Sequence, residues 1–569
     1  MADIGDIFKA QKRYKMDNEN KGDTSRDGMV ASAIAEASAA GNKMLESGGN
    51  AFDALIAVQL SLAVVEGMNT GIGAGGFILC YDNDKKETKV VNAHSRAPAG
   101  LTPECFISDG EPMPFDERTK SAVSIGVPGI MKGMEYLHEN YATLPLEQLI
   151  DPAITLAKNE LRVNSLWDRT IQLFKHRLKD TAREKFVPKG TPLREGDTIT
   201  QLELAKTLEI IREDGFNAVY EGEIADAIVE TVREHGGTLT REDLLDYQVK
   251  IDEPLWSSYK GYKIAFPAPP SGGGLGVAQQ LKMFEALDIS RYEPHSWEKY
   301  HLVSQVVQFV LADRQRYIGD PGFHDLPLEG LLDEDYIKER CGEISLEKNL
   351  GKVEPGNPWK YQKKSAGSVK NNHYTDNEGY ETTHFTAVDR WGNIASCTSS
   401  IERIFGSGIM VPNYGFLLNN DLTDFEPEPG QVNEPDSNKC PTSSKCPTIM
   451  FHDDAPFFTL GSPGGPTIIA SVAQTILNVI DYNMPLEDAI KEPRVYIEPE
   501  LGREWEDGIN EEAMQELETL GYEFTQSFRV ESADTRLGDV QAIMIDQTDG
   551  HLLYGVADSP RPGDARGAE

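Results

Sequence analysis

The run GYETTHFTAVDRWGNIASCTSS, residues 379–400, decides how the chain is read. Residues 384–388 alternate like a strand, 389–393 carry turn chemistry in Asp-Arg-Trp-Gly-Asn, and 394–400 read as the returning strand. Nothing apolar leads in, because Glu381 is followed directly by Thr382, Thr383 and His384. Two readings stand. The run is a solvent-facing hairpin, or the chain is cut between Glu381 and Thr382 so that Thr382 becomes a new N-terminus. Residues 351–378 are polar, rich in Lys, Asn and Gly and nearly empty of aliphatic side chains, so 351–381 is expected to be an exposed, mobile loop. Such a loop can be cut without unfolding the core strand that it feeds.

The chain has 569 residues, more than one hydrophobic core usually supports, and 39% of them are hydrophobic. Lys and Arg number 55 against 92 Asp and Glu, a net charge of −37 that repels phosphate backbones and anionic lipid, so neither nucleic acid nor membrane is expected as a partner. The first residues hold basic side chains but no apolar run of signal length, and a cytoplasmic location is expected. The longest apolar stretch, 52–65, is interrupted by Asp53, Gln59 and Ser61 and is too short to span a bilayer; it reads as a buried helix. Six scattered cysteines fit reduced thiols, and none stands at metal-ligand spacing with histidine, so no metal is expected.

Residues 29–66 read as two helices split at Ser47-Gly48-Gly49-Asn50. In NTGIGAGGFILCYD, residues 69–82, glycines precede the strand at 77–81, the reverse of a phosphate cradle. In PAPPSGGGLGVAQQL, residues 267–281, glycines do open a helix, but the Lys-Ser/Thr of a P-loop is missing and close backbone packing is the expected role. Residues 130–350 are mainly helical, with caps such as Thr240 before Arg241-Glu242-Asp243.

A threonine hydroxyl is a weak nucleophile that needs a base within hydrogen-bond reach. At a chain terminus Thr382 would carry its own, since an α-amine titrates at about 7.7–8.0. Before cleavage the same hydroxyl can attack the Glu381 carbonyl, an N-to-O acyl shift completed by ester hydrolysis. Acyl transfer also needs oxyanion donors. In GSPGG the adjacent Gly464 and Gly465 can aim two N–H groups at one point, ahead of a helix expected at 466–477.

Residues 382–425 resemble the start of the small subunit of γ-glutamyltransferases, the γ-glutamyltranspeptidases, which are N-terminal-nucleophile hydrolases. GVPGIMKGME (126–135), PAPPSGGGLG (267–276), ADRQRYIGDP (312–321), PTSSKCPTIM (441–450), GSPGGPTII (461–469) and DSPRPGDARG (558–567) come in the family's order. The resemblance selects the cut at Glu381–Thr382 over the plain hairpin. It implies an α+β fold, a four-layered αββα sandwich of two antiparallel sheets flanked by helices. It also implies fragments 1–381 and 382–569 that stay together as a heterodimer. The implied substrate is a small γ-glutamyl amide such as glutathione, with water, an amino acid or a peptide as acceptor and no cofactor.

By the same resemblance Thr382 is the nucleophile, Ser400 a second hydroxyl bonded to it, and Gly464 with Gly465 the oxyanion hole. Thr383 and His384 match the motif, and His384 reads as a structural hydrogen-bonder because the amine already serves as base. Glu402, Asp421 and Asp424 match the positions that hold the substrate α-amine, and Ser443 and Ser444 those that bind its α-carboxylate. The arginine of the family's carboxylate-binding motif is His94 here, and Arg96, on the same face if this is a strand, is expected to reach the carboxylate instead. Residues 426–442 are shorter than the lid loop of well-known members, which implies an open pocket. The rival within the family is an acylase for another acyl group, such as glutaryl-cephalosporin. Outside it, the rival is an uncleaved binding homologue.

Overall fold

The computed structural model describes residues 3–13, 21–363, 370, 372, 381–498, 502–523, 536–558 and 560–569. Of the loop expected at 351–381, residues 364–369, 371 and 373–380 lie outside these. Residues 351–363 are packed rather than free, with Arg340 Nη2 donating to the Glu354 carbonyl at 2.8 Å and Gly330 N to Gln362 Oε1 at 2.9 Å.

Fourteen strands build two large sheets. In chain order they are β1 Gly22–Ser25, β2 Gly28–Ser32, β3 Gly75–Asp82, β4 Glu87–Ala93, β5 Lys250–Asp252, β6 Leu255–Tyr259 and β7 Tyr262–Phe266. Then come β8 Thr383–Asp389, β9 Ile394–Ser400, β10 Thr448–His452, β11 Ala455–Gly461, β12 Gln541–Asp546, β13 Leu552–Ala557 and β14 Asp564–Gly567. One sheet runs β1-β13-β12-β11-β10-β7-β6 and the other β14-β2-β8-β9-β3-β4-β5. The ladders are antiparallel throughout. Phe77, Leu79, Val388 and Ile394 of one sheet meet Ile449, Phe451, Ile543 and Leu553 of the other in the layer between them. Alternate residues of the same strands point outward against helices: Phe385, Cys397 and Ile78 toward the helix Ala51–Val65, and Met450, Phe458 and Met544 toward the helices Gly272–Ala286 and Thr467–Tyr482. This is the αββα sandwich, because period-two side chains of each sheet bury both faces.

The decisive run forms β8 and β9, paired from Thr383↔Ser399 to Val388↔Ile394. Asp389 closes the turn by accepting from the Trp391 and Asn393 N–H groups. Every residue of both strands is buried, so the hairpin does not face solvent; Arg390 and Trp391 at its tip are exposed. Residues 29–32, expected in a helix, are instead the buried strand β2, paired with β8 from Phe385↔Ser32 to Asp389↔Gly28. A short apolar run fits either element, and the available β8 edge decides it. The second half of that expectation holds: Asn50 and Asp53 form a capping box for Ala51–Val65, whose fifteen residues are all buried.

The glycines are places of close approach. A Cβ on Gly73 would lie 2.3 Å from the Leu417 carbonyl, one on Gly76 2.6 Å from that of Thr398, and one on Gly273 2.3 Å from that of Ser444. The two glycine-rich segments thus press onto the loops at 417–421 and 443–446 that shape the site. Among the described residues no helix is long and apolar enough to cross a membrane.

Candidate active site

Thr382 sits at the entrance to β8, 3% exposed. Its Oγ1 donates to Ser400 Oγ at 3.2 Å, and Ser400 Oγ donates to the Glu381 carbonyl at 2.8 Å. Ser400 ends β9, so hairpin register alone brings it across from Thr382. The Glu402 N–H donates to the same Ser400 oxygen at 2.8 Å, and Glu402 itself takes φ of +78°, a left-handed conformation rare for a side chain with a Cβ. On the other side Arg561, fully buried, donates to the Thr382 carbonyl and pairs with Glu66 at 2.8 Å and Glu381 at 3.3 Å. One guanidinium therefore grips both residues of the Glu381–Thr382 bond. Thr70 supports the neighbouring strand position through a 2.7 Å hydrogen bond with Ser399.

His384 faces away from chemistry. Its Nδ1 meets Thr398 Oγ1 at 2.9 Å, and burial pushes its pKa down to about 3, so it is a neutral ring at working pH. It packs on Gly461, where a Cβ would come within 2.3 Å of the ring. Thr386 and Thr459 meet hydroxyl to hydroxyl at 3.1 Å. Pairs 386–459 and 384–461 run antiparallel between the sheets, in the direction of Thr382 on one strand and of the glycine pair on the other. Gly464 and Gly465 have φ of +130° and +55°, and their carbonyls accept from the first turn of the helix Thr467–Tyr482. Neither of their N–H groups donates to a backbone carbonyl among the described residues.

Glu402, Asp421 and Ser443 gather around a lysine. Asp421 opens the 3₁₀ turn Asp421–Asp424 and is held by the Ser95 hydroxyl; burial raises its carboxyl above the ordinary value, against the pulls of Lys445, Ser95 and Glu402. Lys445 Nζ lies 3.6 Å from Glu402 Oε2, 3.8 Å from Asp421 Oδ1 and 3.4 Å from Ser443 Oγ. Asp424 lies beside the Arg118 guanidinium. Ser443 is pinned by paired backbone bonds with Pro270 and Gly272, at 3.0 and 2.7 Å, and Ser444 is buried next to it. His94 is also buried. Neither ring nitrogen has a hydrogen-bond partner of good geometry among the described residues, and burial together with Lys445 holds the ring neutral. Arg96 does not join it. β4 ends at Ala93, so 94 and 96 are not alternate residues of a strand, and the Arg96 guanidinium lies over the Tyr247 ring at 5.3 Å. The segment 426–442 is folded inward: Asn433 donates to the Asp424 carbonyl at 2.7 Å, and Lys439 to the carbonyls of Val432 and Glu434.

The family model described as Gamma-glutamyltranspeptidase matches residues 37–568. The chain belongs to the γ-glutamyltranspeptidase family. It is 44% identical over 561 residues to the glutathione hydrolase proenzyme of Bacillus subtilis strain 168, across 98% of this chain and 94% of that one. It is 32% identical to the acylase ACY 1 proenzyme of Pseudomonas sp. strain V22, across 90% of each. Among solved structures it superposes on a cephalosporin acylase from Bacillus halodurans with a TM-score of 0.84 at 27% identity, covering 98% of each chain.

Four buried residues of this γ-glutamyltranspeptidase site escape a reading by motif: Lys445, Arg561, Glu66 and Ser95. Lys445 and Arg561 do lie inside the motif runs 441–450 and 558–567, and a charged residue within an otherwise uncharged stretch such as PTSSKCPTIM is the one available signal. Glu66 and Ser95 carry none, because their partners are hundreds of residues away in sequence.

Proposed function

We propose that this enzyme cuts itself at Glu381–Thr382 and then uses Thr382 to hydrolyse and transfer γ-glutamyl groups, with amides such as glutathione as donors. The observation that carries the reading is the Ser400 hydroxyl, which bonds both Thr382 Oγ1 and the carbonyl that Thr382 would attack. Polarising that carbonyl and aligning the hydroxyl serve the first N-to-O shift. The ester so formed is hydrolysed and frees the Thr382 amine. In turnover that amine takes the hydroxyl proton, Oγ1 bonds the substrate carbonyl carbon, the C–N bond breaks, and the proton leaves with the amine product. Water or an acceptor amine then attacks the ester, and Thr382 recovers its proton. Gly464 and Gly465 hold the oxyanion in both halves.

Fragments 1–381 and 382–569 would remain one heterodimer, since β8 and β9 are flanked by β2 and β3, and β10 by β7. Separating them would break ladders in both sheets. The test is direct. Purified protein should run as two bands, Thr382→Ala as one, and only the cleaved form should release the amine from a γ-glutamyl anilide. A wild type that stays intact and inert would leave the binding-homologue reading standing instead.

A further inference from the structure

The carboxylate cluster linked to Thr382 already contains a cation. The Lys445 ammonium is 3% exposed and nearly equidistant from Glu402, Asp421 and Ser443, at 3.6, 3.8 and 3.4 Å. Glu402 is tied to the nucleophile through the Ser400 hydroxyl, so this cluster is part of the reaction centre's wall. A second ammonium placed between Glu402 and Asp421 would face Lys445 at ion-pair range with little water to screen the repulsion.

An entering carboxylate meets the opposite situation. Beside Lys445 stands His94, 1% exposed, whose ring faces the Pro441 backbone carbonyl and makes no hydrogen bond of good geometry among the described residues. A buried polar group left poorly paired is costly, and a hydrogen-bonding partner brought by the substrate lowers that cost. The segments carrying the two residues are joined where Ala97 N donates to the Lys439 carbonyl at 2.8 Å. The Lys445 ammonium and the Ser443 hydroxyl, with the His94 ring beside them, thus form a polar set that can receive an anion.

We infer that Lys445 selects the acyl group: it supplies from within the chain the positive charge between Glu402 and Asp421 and, with His94, receives the acyl group's free carboxylate. Amides of plain dicarboxylic acids without an α-amine, the glutaryl class, are then substrates at least as good as γ-glutamyl amides. This rests on Thr382 acting as the acyl-transfer nucleophile and narrows what that site accepts.

The experiment compares kcat/KM for glutaryl and γ-glutamyl p-nitroanilides in wild type, Lys445→Met and Lys445→Arg, each first checked for self-cleavage into two bands. The wild-type ratio of glutaryl to γ-glutamyl should be one or more. Lys445→Met should move it at least about tenfold toward γ-glutamyl, some 1.4 kcal/mol of discrimination, while Lys445→Arg holds it within about threefold. Inhibition of the wild type needs no variant, and free glutarate should inhibit more tightly than L-glutamate. Turnover of the γ-glutamyl anilide alone, tighter inhibition by glutamate, or a ratio unmoved by Lys445→Met overturns this inference and leaves the acyl-transfer reading intact. Cleaved protein that turns over neither anilide overturns both.

Discussion

Thr382 and Ser400 face each other hydroxyl to hydroxyl at 3.2 Å across the mouth of a buried hairpin, and the oxygen of Ser400 also touches the Glu381 carbonyl. Removing that oxygen takes away a donor aimed at the developing oxyanion of self-cleavage, a loss of about 10²–10³-fold in comparable sites. Ser400→Ala should therefore accumulate the single uncut band, with cleavage measured over hours on a denaturing gel. Ser400→Thr keeps the oxygen and should cleave within about tenfold of the wild type.

His384 gives a prediction about acid stability. Its pKa falls from the ordinary 6.5 to about 3 on folding because burial disfavours the charged ring. Between those values the unfolded chain binds a proton that the native protein refuses, so stability falls as pH drops, by up to about 1.4 kcal/mol per pH unit from this group. Urea unfolding at pH 4–6.5 should show a shallower dependence in His384→Gln than in the wild type. The acid limb of the turnover profile should survive in the same variant, since the proposed base is the Thr382 amine. Loss of that limb would make the histidine the base after all.

Gly461 tests the packing behind the nucleophile. An added methyl would come within 2.3 Å of the His384 ring, which is fully buried and hydrogen-bonded to Thr398 and cannot swing aside. Gly461→Ala should cost about 1–3 kcal/mol by overpacking and slow self-cleavage by displacing the start of β8. Gly48→Ala is the control for a glycine with open space around it, where only the backbone at φ of +87° objects. A melt of Gly461→Ala indistinguishable from wild type would refute the contact.

Motif order made the family, and with it the sandwich, legible. The hairpin's alternation set the register that places Ser400 opposite Thr382. The features that stayed hidden depend on distant partners. Residues 29–32 read as helix until the β8 edge that claims them is known, and Arg96 reads as sharing a face with His94 until β4 is seen to stop at Ala93. The three carboxylates suggested a site waiting for a substrate cation. Lys445 changes that, and its position between Glu402 and Asp421 comes from the folding together of three loops, which local spacing does not encode.

Arg561 joins the run 558–567 to the Glu381–Thr382 bond at which cleavage is proposed. It is buried with Glu66 and Glu381 and donates to the Thr382 carbonyl, so its loss leaves two buried carboxylates without their cation. Breaking such a pair from one side typically costs about 3–5 kcal/mol, and Arg561→Ala should lower the melting temperature strongly and abolish self-cleavage. Arg561→Lys separates charge from geometry, because one ammonium cannot reach three acceptors in the fork that a guanidinium spans. That variant should fold, cleave slowly and, once cleaved, lose kcat more than it raises KM, since the Thr382 carbonyl loses its anchor while the acyl pocket around Lys445 is untouched. An Arg561→Lys enzyme with raised KM and normal kcat would instead place Arg561 on the substrate side of the site.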